Sequence, residues 1–124
     1  MAEREFLYLT TTGRRSGLQR EIEIWYVELE GRYFLISELR ERADWVRNCL
    51  TEPRVRFRIG RHGETMAGRA RVVHDATEPG IASTVKSTFA ATYGWSDGLI
   101  VELLPDARHV TDAPTRNGLL PERG

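Results

Sequence analysis

The order of hydrophobic and polar residues divides the first half of the chain into three short strands. Residues 6–12 are rich in aromatic and β-branched side chains and stop at a glycine, which predicts a strand ending in a turn. Residues 20–29 begin with isoleucines that alternate with glutamates, and this alternation predicts a half-buried strand. After a turn at 30–31, the nearly continuous apolar stretch 33–37 predicts a third strand.

The second half of the chain adds two helices and three strands. Apolar residues spaced by four, such as Trp45 and Cys49, predict a short helix over 42–51. The same spacing predicts an amphipathic helix over 77–93. Strands are predicted at three further places, namely residues 54–59, 64–74 and 99–104.

The predicted order of elements is therefore βββαββαβ. Because short turns join antiparallel strands, we expect a mainly β (α+β) domain of about six mostly antiparallel strands, closed into a small barrel with two helices. We expect this domain to span residues 1–104. The segment 105–124 contains prolines and glycine among polar residues, and we expect a loosely ordered tail there.

Composition narrows the possible partners and the compartment. The 124 residues include 18 basic and 18 acidic side chains, so the net charge is zero and we expect no nucleic-acid partner. The single cysteine, Cys49, cannot form a disulfide within the chain, which fits a reducing cytoplasm. The apolar runs are too short to span a bilayer, and the charged start of the chain does not resemble a signal peptide. We therefore expect a cytoplasmic protein without a transmembrane segment.

The turn that follows the first predicted strand is the main candidate for ligand chemistry. Residues 13–17 read GRRSG, and Arg20 follows shortly after them. Backbone amides, guanidinium groups and a hydroxyl in a glycine-flanked turn are donors that suit phosphate oxygens. The same residues also suit an ordinary polar turn with solvated arginines, since short motifs of this kind often occur by chance.

Other groups of residues carry less specific signals. Arg54, Arg56 and Arg58 alternate with apolar positions, so this stripe could contact an anion or could be the solvated face of a hairpin. The tryptophans and tyrosines could stack on a planar ring or pack in the core. The three histidines are far apart in sequence, and we expect no metal site. We expect Cys49 to be a small buried hydrophobe.

Taken together, these segments resemble a known family. Residues 9–17, LTTTGRRSG, are similar to the start of the deazaflavin (F420)-dependent nitroreductase family, a branch of the split-β-barrel flavin-binding superfamily. The likeness continues through residues 33–37, the segment DWVRNCL at 44–50 and the segment EPRV at 52–55, in the family's order and approximate spacing. This resemblance implies an FMN-binding-like split barrel, F420 as the cofactor and a homodimer.

The resemblance also implies roles for individual residues. In the family, the basic turn after the first strand holds the phosphate and acidic tail of the cofactor, and a serine ending the third strand lies near its ring. The matching positions in this chain, taken as cofactor-binding, are Thr12, Arg14, Arg15, Ser16, Gly17, Arg20, Ser37, Trp45 and Asn48. Ser37 is also an expected catalytic residue, together with Tyr93 late in the long helix. The implied reaction is hydride transfer to a quinone, a nitro compound or an enone.

One segment departs from the family pattern and keeps other ligands open. The family usually has a lysine and paired glycines after the serine, whereas residues 38–43 here read ELRERA. Glu38 could repel an anionic cofactor, although Arg40 or Arg42 could replace the missing positive charge. FMN is therefore the alternative cofactor. A non-catalytic split barrel that binds a flavin or haem is the alternative function.

Overall fold

The computed structural model describes residues 5–106 of the chain, which form seven strands, two α-helices and one 3-10 turn. The strands are β1 (Leu7–Thr12), β2 (Gln19–Ile24), β3 (Val27–Leu29), β4 (Arg32–Ser37), β5 (Arg54–Ile59), β6 (Met66–Val73) and β7 (Leu99–Pro105). The helices are α1 (Asp44–Thr51) and α2 (Pro79–Tyr93), and the 3-10 turn spans Arg40–Arg42. No helix in the described part of the chain is long and apolar enough to cross a membrane.

The strands form one antiparallel sheet in the order β2-β1-β5-β6-β7-β4-β3. The last strand in sequence, β7, lies in the middle of the sheet, where it pairs with β6 on one side and β4 on the other. The mostly antiparallel sheet with two helices is as predicted. It has one strand more than expected.

The additional strand arises because the predicted strand over 20–29 is interrupted at Trp25 and Tyr26. The Tyr93 hydroxyl, which comes from the end of α2, donates to the Tyr26 carbonyl at 2.7 Å and accepts from the Tyr26 amide at 3.3 Å. A tertiary contact therefore takes up backbone groups that a continuous strand would use for its ladder.

The end of the predicted domain also differs slightly from the expectation. The final strand β7 continues to Pro105, one residue past the predicted boundary, and the Asp106 amide donates to the Ala67 carbonyl at 2.9 Å. The rest of the predicted tail, residues 107–124, lies outside the described residues.

Two hydrophobic cores hold the helices to the sheet. The larger core places α1 against the buried face of β1, β5 and neighbouring strands, with Phe57 and Val46 almost fully enclosed. The second core places α2, through Val85 and Phe89, against strands β3, β4, β6 and β7. Each helix buries one stripe of side chains, as the spacing of four predicts.

A buried carboxylate joins three central strands. Glu102 on β7 is 2% exposed, and its carboxylate accepts hydrogen bonds from Arg71 on β6 and from Arg32 on β4. Arg71 continues the network by donating two hydrogen bonds to Glu78, and this contact is the main reason why its pKa is raised. Charge pairing therefore compensates a group that would be costly to bury alone.

Candidate cofactor site

The GRRSG turn connects β1 and β2 and has a fixed backbone. The Gly13 amide donates to the Leu18 carbonyl at 2.8 Å, and the Gly17 amide donates to the Gly13 carbonyl at the same distance. A Cβ on Gly13 would lie 2.8 Å from the Ser16 hydroxyl oxygen, so a side chain there requires a shift. Gly17 has φ of 74°, which favours glycine.

The side chain of Asn48 on α1 holds this turn in place through hydrogen bonds. Its Oδ1 atom accepts from the Arg14 amide at 3.1 Å and from Arg14 Nη1 at 2.9 Å. Its Nδ2 atom donates to Thr11 Oγ1 at 3.4 Å, and the residue is only 6% exposed. Asp44, one turn earlier on the helix, accepts from Arg14 Nη2 at 3.3 Å. The predicted residues Arg14 and Asn48 are thus brought together, in contact with each other.

The basic turn opens onto a small polar cavity of about 280 Å³. Its lining residues come from the turn, the start of β2 and helix α1, namely Gly13, Arg14, Arg15, Ser16, Arg20, Asp44 and Asn48. Arg15 and Arg20 are exposed, and within residues 5–106 neither forms an ion pair. These two guanidinium groups are therefore available to an anion in this cavity.

A larger, mainly apolar cavity of about 860 Å³ also has Asp44 in its lining. Its wall contains three tryptophans, two phenylalanines and three isoleucines, namely Trp25, Trp45, Trp95, Phe6, Phe89, Ile22, Ile24 and Ile36. Asp44 lines both cavities, so the polar and the apolar cavities adjoin. A cavity of this size with a mostly apolar wall is typical of a small-molecule site.

Ser37, predicted as catalytic and cofactor-binding, lines the apolar cavity at the end of β4. It is 2% exposed, and its hydroxyl donates to the Arg40 carbonyl at 3.0 Å. Glu38 and Leu39 follow it along the cavity wall and are exposed. The segment without glycine therefore still forms a tight turn at the cavity edge, in which Arg40 has φ of 56°.

Tyr93, the other predicted catalytic residue, lies behind the cavity wall. Its ring stacks on Trp25 with centroids 4.5 Å apart and an angle of 7° between planes, and its hydroxyl holds the Tyr26 backbone. Trp25 is 41% exposed and lines the cavity. Tyr93 thus supports a tryptophan at the site, and the direct contact with the substrate that the resemblance implies stays a prediction.

The remaining predicted residues are divided between the site and its surroundings. Trp45 lines the apolar cavity. Ser16 lines the polar cavity, and its hydroxyl accepts from the Leu18 amide at 3.1 Å. Thr12 lies elsewhere, in a third cavity on the outer face of the sheet. Gly17 shapes the turn through its backbone angle.

Sequence reasoning missed several wall residues of the apolar cavity. Ile22 and Ile24 were identifiable as one face of β2, but the alternation could not indicate that this face meets a cavity. Phe89 has the spacing of an ordinary helix core residue, and it serves both the second core and the cavity.

Comparison with solved structures identifies the fold. The chain is similar to the haem storage protein HutZ from Vibrio cholerae, with 19% identity, a TM-score of 0.66 and coverage of 84% of this chain and 83% of that chain. An FAD-binding protein from Mesorhizobium loti gives 15% identity, a TM-score of 0.63 and coverage of 85% and 83%. An F420-H2 dependent reductase, FDR-A, gives 20% identity, a TM-score of 0.56 and coverage of 83% and 96%. The predicted split-barrel fold is confirmed.

Comparison by sequence identifies the family. No curated protein matches the chain. The family model described as F420H(2)-dependent quinone reductase matches residues 1–97, which include the turn, Ser37, α1 and α2. This match confirms the predicted resemblance and agrees with F420 as the cofactor of the family. The chain belongs to the F420H(2)-dependent quinone reductase family.

Proposed function

We propose that this chain is an F420-dependent oxidoreductase that delivers a hydride to a small planar acceptor, with a quinone as the first candidate. The observation that carries the proposal is the junction of two unlike cavities at Asp44. One is small and basic, the other large and aromatic, and a cofactor with an anionic tail and a planar ring needs both kinds of surface.

The residues of the two cavities fit such a cofactor. Arg15 and Arg20 form no ion pair within residues 5–106 and offer their guanidinium groups to phosphate oxygens. The Gly13, Arg14 and Gly17 amides are already bonded within the protein and hold the turn in place. Trp45, Ile22 and Ile24 offer flat apolar surface next to the basic end. Reduced F420, when bound, supplies the hydride.

The chain's own residues orient the acceptor. Trp25 is held rigid by its stack on Tyr93, so it offers a fixed plane to a flat acceptor at low entropic cost. Ser37 is held at the cavity by its bond to the Arg40 carbonyl, and its oxygen can accept a further hydrogen bond. The aromatic wall favours quinones, and the same wall also suits planar nitro compounds and enones.

We include a homodimer and a cytoplasmic location in the proposal. Phe6, Trp25 and Leu39 are exposed apolar residues that line the cavity, with exposed fractions of 37%, 41% and 55%. A partner subunit covering them would shield the cavity from water.

The test is a fluorescence titration of the purified protein with F420 and, separately, with FMN. We expect F420 to bind, and Arg15→Ala to weaken binding by about tenfold or more, because a charge-assisted hydrogen bond to phosphate is lost. Lys86→Ala serves as the control, since it removes one positive charge on α2, where Lys86 forms a salt bridge to Asp75. The affinity of this variant for F420 should stay within about twofold of that of the original protein.

The outcomes separate the alternatives. Turnover of reduced F420 with quinone, nitro and enone acceptors then ranks the acceptor classes. FMN binding without F420 binding would favour the FMN alternative, and F420 binding without turnover would favour a non-catalytic binding protein. Equal F420 affinity in Arg15→Ala and the original protein would contradict the phosphate site.

A further inference from the structure

The outer face of β1, β2, β5 and β6 carries charged side chains that separate into two ends. At one end, Glu21 pairs with Arg58, Glu23 pairs with Arg61, and Arg58 lies 4.6 Å from the centre of the Tyr8 ring. At this end, each glutamate is therefore paired with an arginine. Of the arginine stripe seen in the sequence, Arg58 is therefore paired with a carboxylate, as expected for a structural surface.

At the other end of the same face, the arginine side chains have no ion pair among residues 5–106, although the Glu52 carboxylate accepts from the Arg54 backbone amide at 3.1 Å. Arg54 on β5 stands directly opposite Arg69 on β6, and Arg56 stands opposite Ala67. None of the three arginines forms an ion pair with any residue from 5 to 106. Like charges placed opposite each other on neighbouring strands destabilise a sheet unless something offsets them.

A cavity of about 260 Å³ lies between these arginines and the neighbouring strands. It is lined by two arginines, two threonines, a glutamine and two small or apolar residues, namely Arg54, Arg56, Thr10, Thr12, Gln19, Val55 and Ala67. The lining contains no carboxylate. Gln19 Nε2 donates to Thr12 Oγ1 at 3.2 Å, which orders the polar edge of the cavity.

We propose that this cavity is a second anion site, which binds the phosphate or carboxylate oxygens of a polyanion. Guanidinium, amide and hydroxyl groups are the donors that complement an oxyanion, and here they converge without an acidic competitor in the lining. An anion in this cavity, next to Arg54, also lessens the repulsion between Arg54 and the opposed Arg69.

Two sources can supply this chemistry. Thr12 and Gln19, which end β1 and begin β2, line the new site, and residues 13–16 between those strands line the basic cavity described above. The acidic tail of a cofactor held at the basic cavity is therefore one source, which rests on the proposed function. A free polyphosphate is the other source and does not depend on it.

The test is an NMR titration with pyrophosphate, followed at the arginine Nε–Hε signals, with affinities measured by calorimetry. We expect the signals of Arg54 and Arg56 to shift. Arg56→Gln should weaken this binding by about tenfold, the usual effect of losing a charged hydrogen bond. Arg54→Gln is a second variant with the same expectation. Arg61→Gln is the matched control, because it removes an exposed arginine that follows β5 and pairs with Glu23. We expect it to change the affinity for pyrophosphate by less than about twofold.

Further arms distinguish the sources and separate this inference from the proposed function. If F420 shifts the Arg54 and Arg56 signals and competes with pyrophosphate, the cofactor tail occupies the site. If pyrophosphate binds equally well to the F420-loaded protein, the site takes a free polyphosphate. Failure of F420 binding with pyrophosphate binding intact would contradict only the proposed function. Shifts confined to Arg15 and Arg20, or equal loss in Arg61→Gln, would overturn the second anion site.

Discussion

At the scale of single residues, Asn48 has more contacts than its place on an amphipathic helix suggests. Its one amide group joins α1 to the basic turn and to β1, through Arg14 and Thr11. A buried side chain that satisfies several polar partners is costly to remove, because those partners then lose both the amide and access to water.

We predict that Asn48→Ala lowers the free energy of unfolding by about 2 kcal/mol, because the partly buried Arg14 donors and the buried Thr11 hydroxyl lose their partner. Urea denaturation followed by tryptophan fluorescence measures the change. Leu50→Ala is the control on the same helix, since Leu50 is 58% exposed and should cost less than about 0.5 kcal/mol. Equal effects of the two substitutions would mean that Asn48 contributes only its helix position.

Cys49 next to it makes a different contribution, which depends on pH. Burial raises the pKa of the Cys49 thiol to about 12, whereas a thiol in the unfolded chain ionises near pH 8.5, so about 8.5 to 12 is the range in which the two states differ. In that range the folded state keeps a proton that the unfolded state has lost, and stability therefore falls as the pH rises.

We predict that Cys49→Ala removes this part of the alkaline destabilisation. Between about pH 8.5 and 10 the original protein should lose up to about 1.4 kcal/mol of stability per pH unit more than the variant. Urea midpoints measured for both proteins across this range provide the test. Parallel pH curves for the two proteins would show that the thiol is as ionisable in the fold as in the unfolded chain.

At the scale of elements, Glu102 couples three strands that are distant in sequence. The carboxylate on β7 holds Arg71 of β6 and Arg32 of β4, so its charge lies where the central ladders meet. Its two arginines are each about half exposed, with side-chain exposures of 46% and 45%, which lessens the cost of losing one partner.

We predict that Glu102→Gln destabilises the fold by about 2 kcal/mol, because the amide cannot neutralise two guanidinium groups next to a buried site. Thermal and urea unfolding measure this loss. Glu28→Gln on β3 removes an exposed carboxylate, and it should change stability by less than about 0.5 kcal/mol. A Glu102→Gln variant as stable as Glu28→Gln would indicate that the hydrogen bonds, which an amide can also accept, and not the charge, stabilise this position.

Local patterns were sufficient to predict most elements, because strands and helices follow periods of 2 and about 3.6 residues. The interruption of the second strand could not be predicted in this way. It depends on the Tyr93 hydroxyl, which reaches the Tyr26 backbone from 67 residues further along the chain. Similarly, the spacing in α1 predicted that Cys49 is buried but not that Asn48 caps the turn of another element.

At the scale of the whole molecule, the site could be predicted only in part. The basic turn was recognisable because its donors are adjacent in sequence, and its role in holding a cofactor stays a prediction. The apolar cavity is lined by residues of β2, the end of β4, α1 and α2, and no local sequence pattern predicts that these elements meet. Tyr93 illustrates the limit, because its stack on Trp25 was not predictable from spacing, and its expected contact with the substrate stays a prediction.

The central position of β7 has a consequence for how the protein is made. Strands β3 and β4 join the rest of the sheet only through β7, and β7 is the last strand of the described chain. During synthesis, the apolar side chains of β4 therefore have no sheet partner on that side from Ser37 until the ribosome has released Leu99 to Pro105. The nascent chain thus depends on a late event to hide its core, and this interval is when a chaperone would be of most use.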